Sequence, residues 1–172
     1  MSKEVKGVMD KVVVRYKGIY DFDGLYKLIR GWLDERRYDF METRYKDKAA
    51  TPFGNEVEII MAPEIKVTPY IKYHIDIRML LFDYKEFDAV LDGEKKKVTD
   101  GKISIELNGW VEFDYMNKFK TDFQKSVLNF LVDKLLRRYF EFKHYDKITY
   151  DVYNLQTEIK NFLKMETKHS AY

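Results

Sequence analysis

The sequence predicts an α+β fold: an antiparallel β-meander packed on a long C-terminal helix, with one helix after the first strand and an extra C-terminal helix. Three patterns carry this expectation. Residues 71–81 and 103–115 alternate between apolar and polar side chains, Leu25, Leu28, Ile29, Trp32 and Leu33 recur at helical spacing, and neither Gly nor Pro occurs after Gly109. Alternation with period 2 marks strands with one wet face, which is the signature of antiparallel sheets.

Val12-Val13-Val14-Arg15-Tyr16-Lys17 is rich in β-branched residues and reads as a first strand ending at Gly18. The helical stripe of Leu25 to Leu33 follows, with Asp21 or Asp23 placed to cap its N-terminus and Arg36-Arg37 suited to its carbonyl end. Gly31, inside this helix, costs about 1 kcal/mol relative to Ala and would let another backbone come close. A second strand is expected over Tyr38 to Lys46. A third covers Glu56 to Ala62 and is stopped by Pro63 and Pro69.

Tyr70 to Phe82 places Ile71, Tyr73, Ile75, Ile77, Met79 and Leu81 on one face and Lys72, His74, Asp76 and Arg78 on the other. Ile103, Ile105, Leu107, Gly109, Val111, Phe113 and Tyr115 alternate in the same way with Ser104, Glu106, Asn108, Trp110, Glu112 and Asp114. Asp92-Gly93 and Asp100-Gly101 are hairpin-turn signals between the two runs. Phe119 to Phe142 is apolar around most of its circumference, as a helix buried on several sides would be. Ile148, Val152, Leu155, Ile159 and Phe162 then form a further stripe at heptad-like spacing. The chain reads as one domain over residues 1–172, a strand-helix-meander unit at 11–115 followed by helices at 119–165.

The chain has 172 residues, 45% of them hydrophobic and 16% aromatic, which is too apolar for disorder and enough for a real core. Basic and acidic residues nearly cancel, 31 against 29, so no global field calls for a polyanion. They are unevenly spread: residues 51–115 hold 8 basic and 13 acidic side chains, residues 116–172 hold 11 and 7. The absence of cysteine excludes disulfides, thiolate ligands and a Cys nucleophile. The first residues lack the apolar segment of a secretory signal, and no apolar run approaches the roughly 18 residues of a membrane span. A cytoplasmic location is expected.

Chemistry-bearing motifs are few. There is no P-loop, no Gly-rich dinucleotide fingerprint and no G-x-S-x-G turn. Glu141/His144 and Glu166/His169 match the Glu-x-x-His of carboxylate-bridged metal sites, but those sites need further Glu residues from facing helices. The match is attributed to chance, and neither metal nor cofactor is expected. No acid/base constellation can be named, so the expectation leans away from an enzyme.

Three surfaces remain. Lys72, His74, Asp76 and Arg78, with Trp110 nearby, have the layout of an RNA-stacking platform, although Glu106, Glu112 and Asp114 would share that surface and repel phosphates. Arg137, Arg138, Lys143 and Lys147 form a basic junction interleaved with tyrosines, a candidate RNA contact whose plainer reading is cations flanking a buried helix. The stripe Ile148/Val152/Leu155/Ile159/Phe162 either docks on the chain's own sheet or meets a second copy or a protein partner.

The order strand, helix, meander and long buried helix over residues 11–142 resembles the helix-grip fold of START/Bet v 1-like proteins. That resemblance implies a curved sheet wrapping the C-terminal helix around an apolar cavity. It departs from the family in having one helix after the first strand where two are usual, and in the added segment 148–165. The run Gly18 to Leu33 also resembles the opening of uncharacterised archaeal proteins, which implies no activity.

The function expected from these readings is a non-enzymatic binding or assembly module. An apolar small molecule would lie between sheet and helix against Tyr73, Ile75, Ile77, Leu107, Val111, Phe113 and Phe130, or a partner would meet the C-terminal helices. The alternative is an RNA- or ribosome-associated factor using the basic junction, although the near-neutral total charge predicts weak nucleic-acid binding at best.

Overall fold

The computed structural model describes residues 3–5, 10–51, 54–91, 94–116, 121–130 and 141–165. Its centre is a hairpin of two very long strands, β6 (Ile71–Leu91) and β7 (Glu94–Phe113). Around it lie β1 (Lys3–Val5), β2 (Val12–Tyr20), β3 (Glu42–Thr51), β4 (Gly54–Met61) and β5 (Glu64–Lys66). The seven strands form one sheet in the order β1-β7-β6-β4-β3, with β2 also pairing β7 and β5 also pairing β6, and every pairing is antiparallel. The helices are α1 (Phe22–Glu35), α2 (Asp122–Phe130) and α3 (Asp146–Phe162), the last entered through a π-helical turn at Glu141–Tyr145.

The alternation in β6 and β7 decides which side of the sheet is dry. Ile75, Ile77, Met79, Ile105, Leu107 and Val111 are wholly buried, and the register Ile77↔Leu107 and Met79↔Ile105 brings them together on one face. A one-residue slip would turn this whole set to solvent, so burial pins the register. The strands run further than the patterning suggests because a bulge between Phe82 and Lys85, with Asp83 at φ +55°, lets the hairpin continue to Leu91↔Glu94. Asp100-Gly101 is therefore not a turn, contrary to expectation. Gly101 lies opposite the bulge, where a Cβ would sit 2.9 Å from the Phe82 carbonyl oxygen and 3.2 Å from Tyr84 Cα. Only a residue without a side chain lets those backbones approach so closely. The turn between Leu91 and Glu94, at Asp92-Gly93, lies outside the described residues.

Asp21 caps α1, accepting a hydrogen bond from the Gly24 amide at 2.7 Å. The close approach expected at Gly31 occurs instead at Gly24: a Cβ there would meet the Phe162 ring at 2.8 Å, whereas nothing lies within 4 Å of one at Gly31. Since Gly24 meets the end of α3 and Trp32 bonds Asn154 nearer its start, α1 and α3 pack antiparallel. The C-terminus of α1 closes with a pair of bonds, Tyr38 N–H to the Leu33 carbonyl and Arg37 N–H to the Asp34 carbonyl, with Arg37 left-handed at φ +61°. The strand expected from Tyr38 consequently begins only at Glu42, because Tyr38 turns inward to stack on Trp32 with ring centroids 6.2 Å apart. The short β5 after Pro63 was not expected; it pairs with Lys72, Tyr73 and His74.

The principal correction concerns the helices. α3, not the segment 119–142, covers the sheet: Ile148, Val152, Leu155 and Ile159 are wholly buried in one cluster with α1 and the inward faces of β2, β4, β6 and β7. The stripe read as a candidate interface is core, with Phe162 half-buried beside it. In α2, by contrast, Phe123, Val127 and Phe130 are exposed, at 78% for Phe123 and 57% for Phe130. Residues 131–140 lie outside the described residues. Among the described residues no helix is long and apolar enough to cross a membrane.

Candidate functional site

Where α1 ends, β5 passes and α3 begins, the surface opens into a cleft of about 560 Å³ lined by Arg36, Arg37, Tyr38, Asp39, Ile65, Lys66, Val67, Tyr73, Lys147 and Asp151. Its floor is a buried polar network. Asp151, 3% exposed, accepts a hydrogen bond from the Tyr38 hydroxyl at 3.2 Å and one from Lys147 a turn earlier on the same helix. A buried carboxylate survives only with such partners, since burial without them would drive it to the neutral form. Burial, then the Asp151 charge and hydrogen bond, pushes the Tyr38 hydroxyl far above the ordinary tyrosine value, so it remains a donor.

Tyr73 sits beside this pair, its pKa pushed up to about 12 by burial and by Asp151. Its hydroxyl lies 2.7 Å from His144 Nδ1. His144, 4% exposed, is held below the ordinary histidine value by burial and by the Lys143 charge. A neutral imidazole next to a protonated phenol fixes the roles: Tyr73 O–H donates, Nδ1 accepts, and the imidazole proton resides on Nε2. The π-helical turn inserts one residue per turn relative to an α-helix and carries His144 into α3 facing the sheet.

Arg36 is held on three sides. Its guanidinium lies 4.1 Å from the Trp32 ring centroid, donates to Asn154 Oδ1 at 2.9 Å and approaches Glu35 at 3.5 Å. Trp32 Nε1 donates to the same Asn154 oxygen at 2.8 Å. The cleft thus has a rigid wall of Trp32, Arg36 and Asn154, a polar floor, and an apolar side formed by Ile65 and Val67.

Of the residues expected to hold an apolar ligand, only Tyr73 borders this cleft. Ile75, Ile77, Leu107 and Val111 are wholly buried, Phe113 nearly so, and the α3 stripe belongs to the same core cluster, so side chains occupy the space where a ligand was expected. Phe130 is exposed on α2, away from that core. Of the basic junction, Lys147 lines the cleft in an ion pair with Asp151, Lys143 is exposed, and Arg137 and Arg138 lie outside the described residues. Arg36 and Arg37 were legible only as helix-end charges, and Tyr38, Asp151 and Asn154 were missed. One signal was present: Lys147, Asp151 and Asn154 recur at i, i+4 and i+7, a polar stripe beside the apolar one.

The outer sheet face does bring Lys72, His74, Asp76 and Trp110 together, but the stacking surface is already taken. His74 lies flat on Trp110, ring centroids 3.9 Å apart and planes 6° apart, and Trp110 Nε1 donates to Asp76 at 3.0 Å. His74 Nε2 lies 3.0 Å from Glu112, Lys72 pairs with Glu64 at 2.6 Å, and Arg78 pairs with Glu58. Among the described residues no group of three or more His, Asp or Glu side chains could hold a metal ion. His144 of the Glu-x-x-His matches is the Tyr73 partner, and His169 lies outside the described residues. No family model and no curated protein matches the chain.

Proposed function

We propose that this chain is a binding module that holds a small molecule in the cleft between the end of α1, β5 and the start of α3. The observation that carries the reading is the convergence there of fixed polar groups, Tyr38, Tyr73, Asp151 and Arg36, around an opening with an apolar side. Concavity of a few hundred Å³, apolar walls and a small number of oriented polar groups are what ligand sites share. The groups are satisfied internally, so the site stands formed before a ligand arrives, which lowers the ordering cost of binding. A cytoplasmic setting accompanies this reading in a chain without cysteine.

Native mass spectrometry of the purified protein tests it. A retained small molecule should be seen, and should be lost when Val67→Trp fills the mouth of the cleft. A chain that retains nothing and binds no member of a metabolite panel in ligand-observed NMR, with or without Val67→Trp, overturns the reading. The exposed Phe123, Val127 and Phe130, at i, i+4 and i+7 of α2, support a second reading as an assembly module, with this face meeting a protein. Light scattering checks that reading: Phe123→Ser with Val127→Ser should lower the measured mass.

A further inference from the structure

We propose that the ligand of this cleft carries an oxyanion, a phosphate monoester or a carboxylate, gripped by Arg37 and Lys66 with Arg36 behind them. The inference rests on the cleft being a binding site and adds what it binds. Arg36, Arg37, Lys66 and Lys147 line the cleft against two acids, Asp39 and Asp151. Asp151 is already matched by Lys147 and by the Tyr38 hydroxyl, so its charge does not reach the mouth uncompensated. Arg37 and Lys66 are exposed, and among the described residues neither forms an ion pair. The Arg36 guanidinium carries five N–H groups, of which Asn154 and Glu35 engage two, and the stack on Trp32 holds the rest in a fixed plane.

The end of α1 would ordinarily present carbonyl oxygens, which repel an anion. Here the Leu33 and Asp34 carbonyls are taken by the Tyr38 and Arg37 amides, and the reversal of the chain brings Arg36 and Arg37 to the same place. Left-handed Arg37 is not itself a sign of ligand binding. Lys164 holds the same conformation and the same capping bonds after α3, away from the cleft, and so provides an internal control. The cleft is much larger than a bare phosphate, and Ile65, Val67 and Tyr73 offer its remaining walls to an organic body.

Trp32 and Trp110 are the two tryptophans, and their indole N–H signals in a ¹H–¹⁵N spectrum report on the two faces separately. Titration of the full chain with inorganic phosphate, and separately with benzoate, should move the Trp32 signal saturably and leave Trp110 in place. The stronger of the two responses identifies phosphate or carboxylate. Arg37→Gln with Lys66→Gln should weaken that response about tenfold, the loss of one charge-assisted contact. Lys164→Gln should leave it unchanged. Because Arg37 and Lys66 are exposed, the double variant should fold, which its melting curve verifies. If neither oxyanion moves Trp32, or the double variant binds as well as the parent, the oxyanion assignment fails. A neutral molecule retained in native mass spectra and lost with Val67→Trp then leaves the binding reading standing. No retained molecule together with no shift removes both.

Discussion

Leu155→Ala decides which helix holds this domain together. Leu155 is wholly buried at the middle of α3, in the cluster that joins Ile148, Val152 and Ile159 to the inward faces of β2 and β7. Truncating a leucine at such a site removes its transfer free energy and leaves a cavity that the antiparallel α1–α3 contact and the sheet cannot collapse. The expected cost is about 3 kcal/mol within the usual range of about 2–5. In a domain of this length each kcal/mol moves the melting temperature by about 2–4 °C, so Leu155→Ala should lower it by roughly 6–12 °C. Phe123 on α2 is larger but 78% exposed, and Phe123→Ala should stay within about 0.5 kcal/mol of the parent. Urea denaturation of the two variants side by side, with the slope checked for constancy, measures both. The opposite ordering, several kcal/mol lost with Phe123→Ala and little with Leu155→Ala, would refute the assignment of α3 as the core helix. Truncation after Asp146 should likewise abolish the cooperative melt, since it removes all of α3 beyond its first residue.

Other perturbations follow from the buried polar groups. His144 is held neutral in the fold, with its pKa below the ordinary value of about 6.5, while Tyr73, Asp151, Lys143 and Lys147 are the titratable groups around it. As the pH falls below about 6.5 the unfolded chain takes up a proton that the native one refuses, so stability should decline there and be flat above. Urea midpoints from pH 8 to pH 5 should show this slope in the parent and lose it in His144→Gln. Tyr20 hydroxyl is buried with no hydrogen-bond partner among the described residues, so Tyr20→Phe should be neutral or stabilising by about 1 kcal/mol in the same assay. Asp151→Ala strands the Tyr38 hydroxyl and removes the Lys147 partner, and should cost about 3 kcal/mol, whereas Asp151→Asn, which still accepts from Tyr38, should cost less. Gly101→Val drives a side chain into the backbone of the β6 bulge and should destabilise by about 1–3 kcal/mol, visible as a lower melting temperature.

What the sequence by itself determined is the sheet and its dry face. The alternation of Ile75, Ile77 and Met79 against Asp76 and Arg78, and of Ile105, Leu107 and Val111 against Glu106 and Trp110, is a property of neighbouring residues, and only one strand register buries the first set. The cap at Asp21 and the apolar stripe of α1 were legible for the same reason, because both depend on residues within one or two turns. The choice between two apolar C-terminal segments was not. Apolarity says that a helix can be buried, and it does not say which of two candidates the sheet receives. That choice rests on pairings such as Trp32 with Asn154 and Tyr38 with Asp151, which lie 122 and 113 residues apart. The cleft is of the same kind. Arg36 and Arg37 end one helix, Lys66 lies on a three-residue strand, Tyr73 on the long hairpin and Lys147 and Asp151 on α3. No local spacing joins them, because a binding site is a relation among distant residues that only the packing of α1 and α3 on the sheet creates.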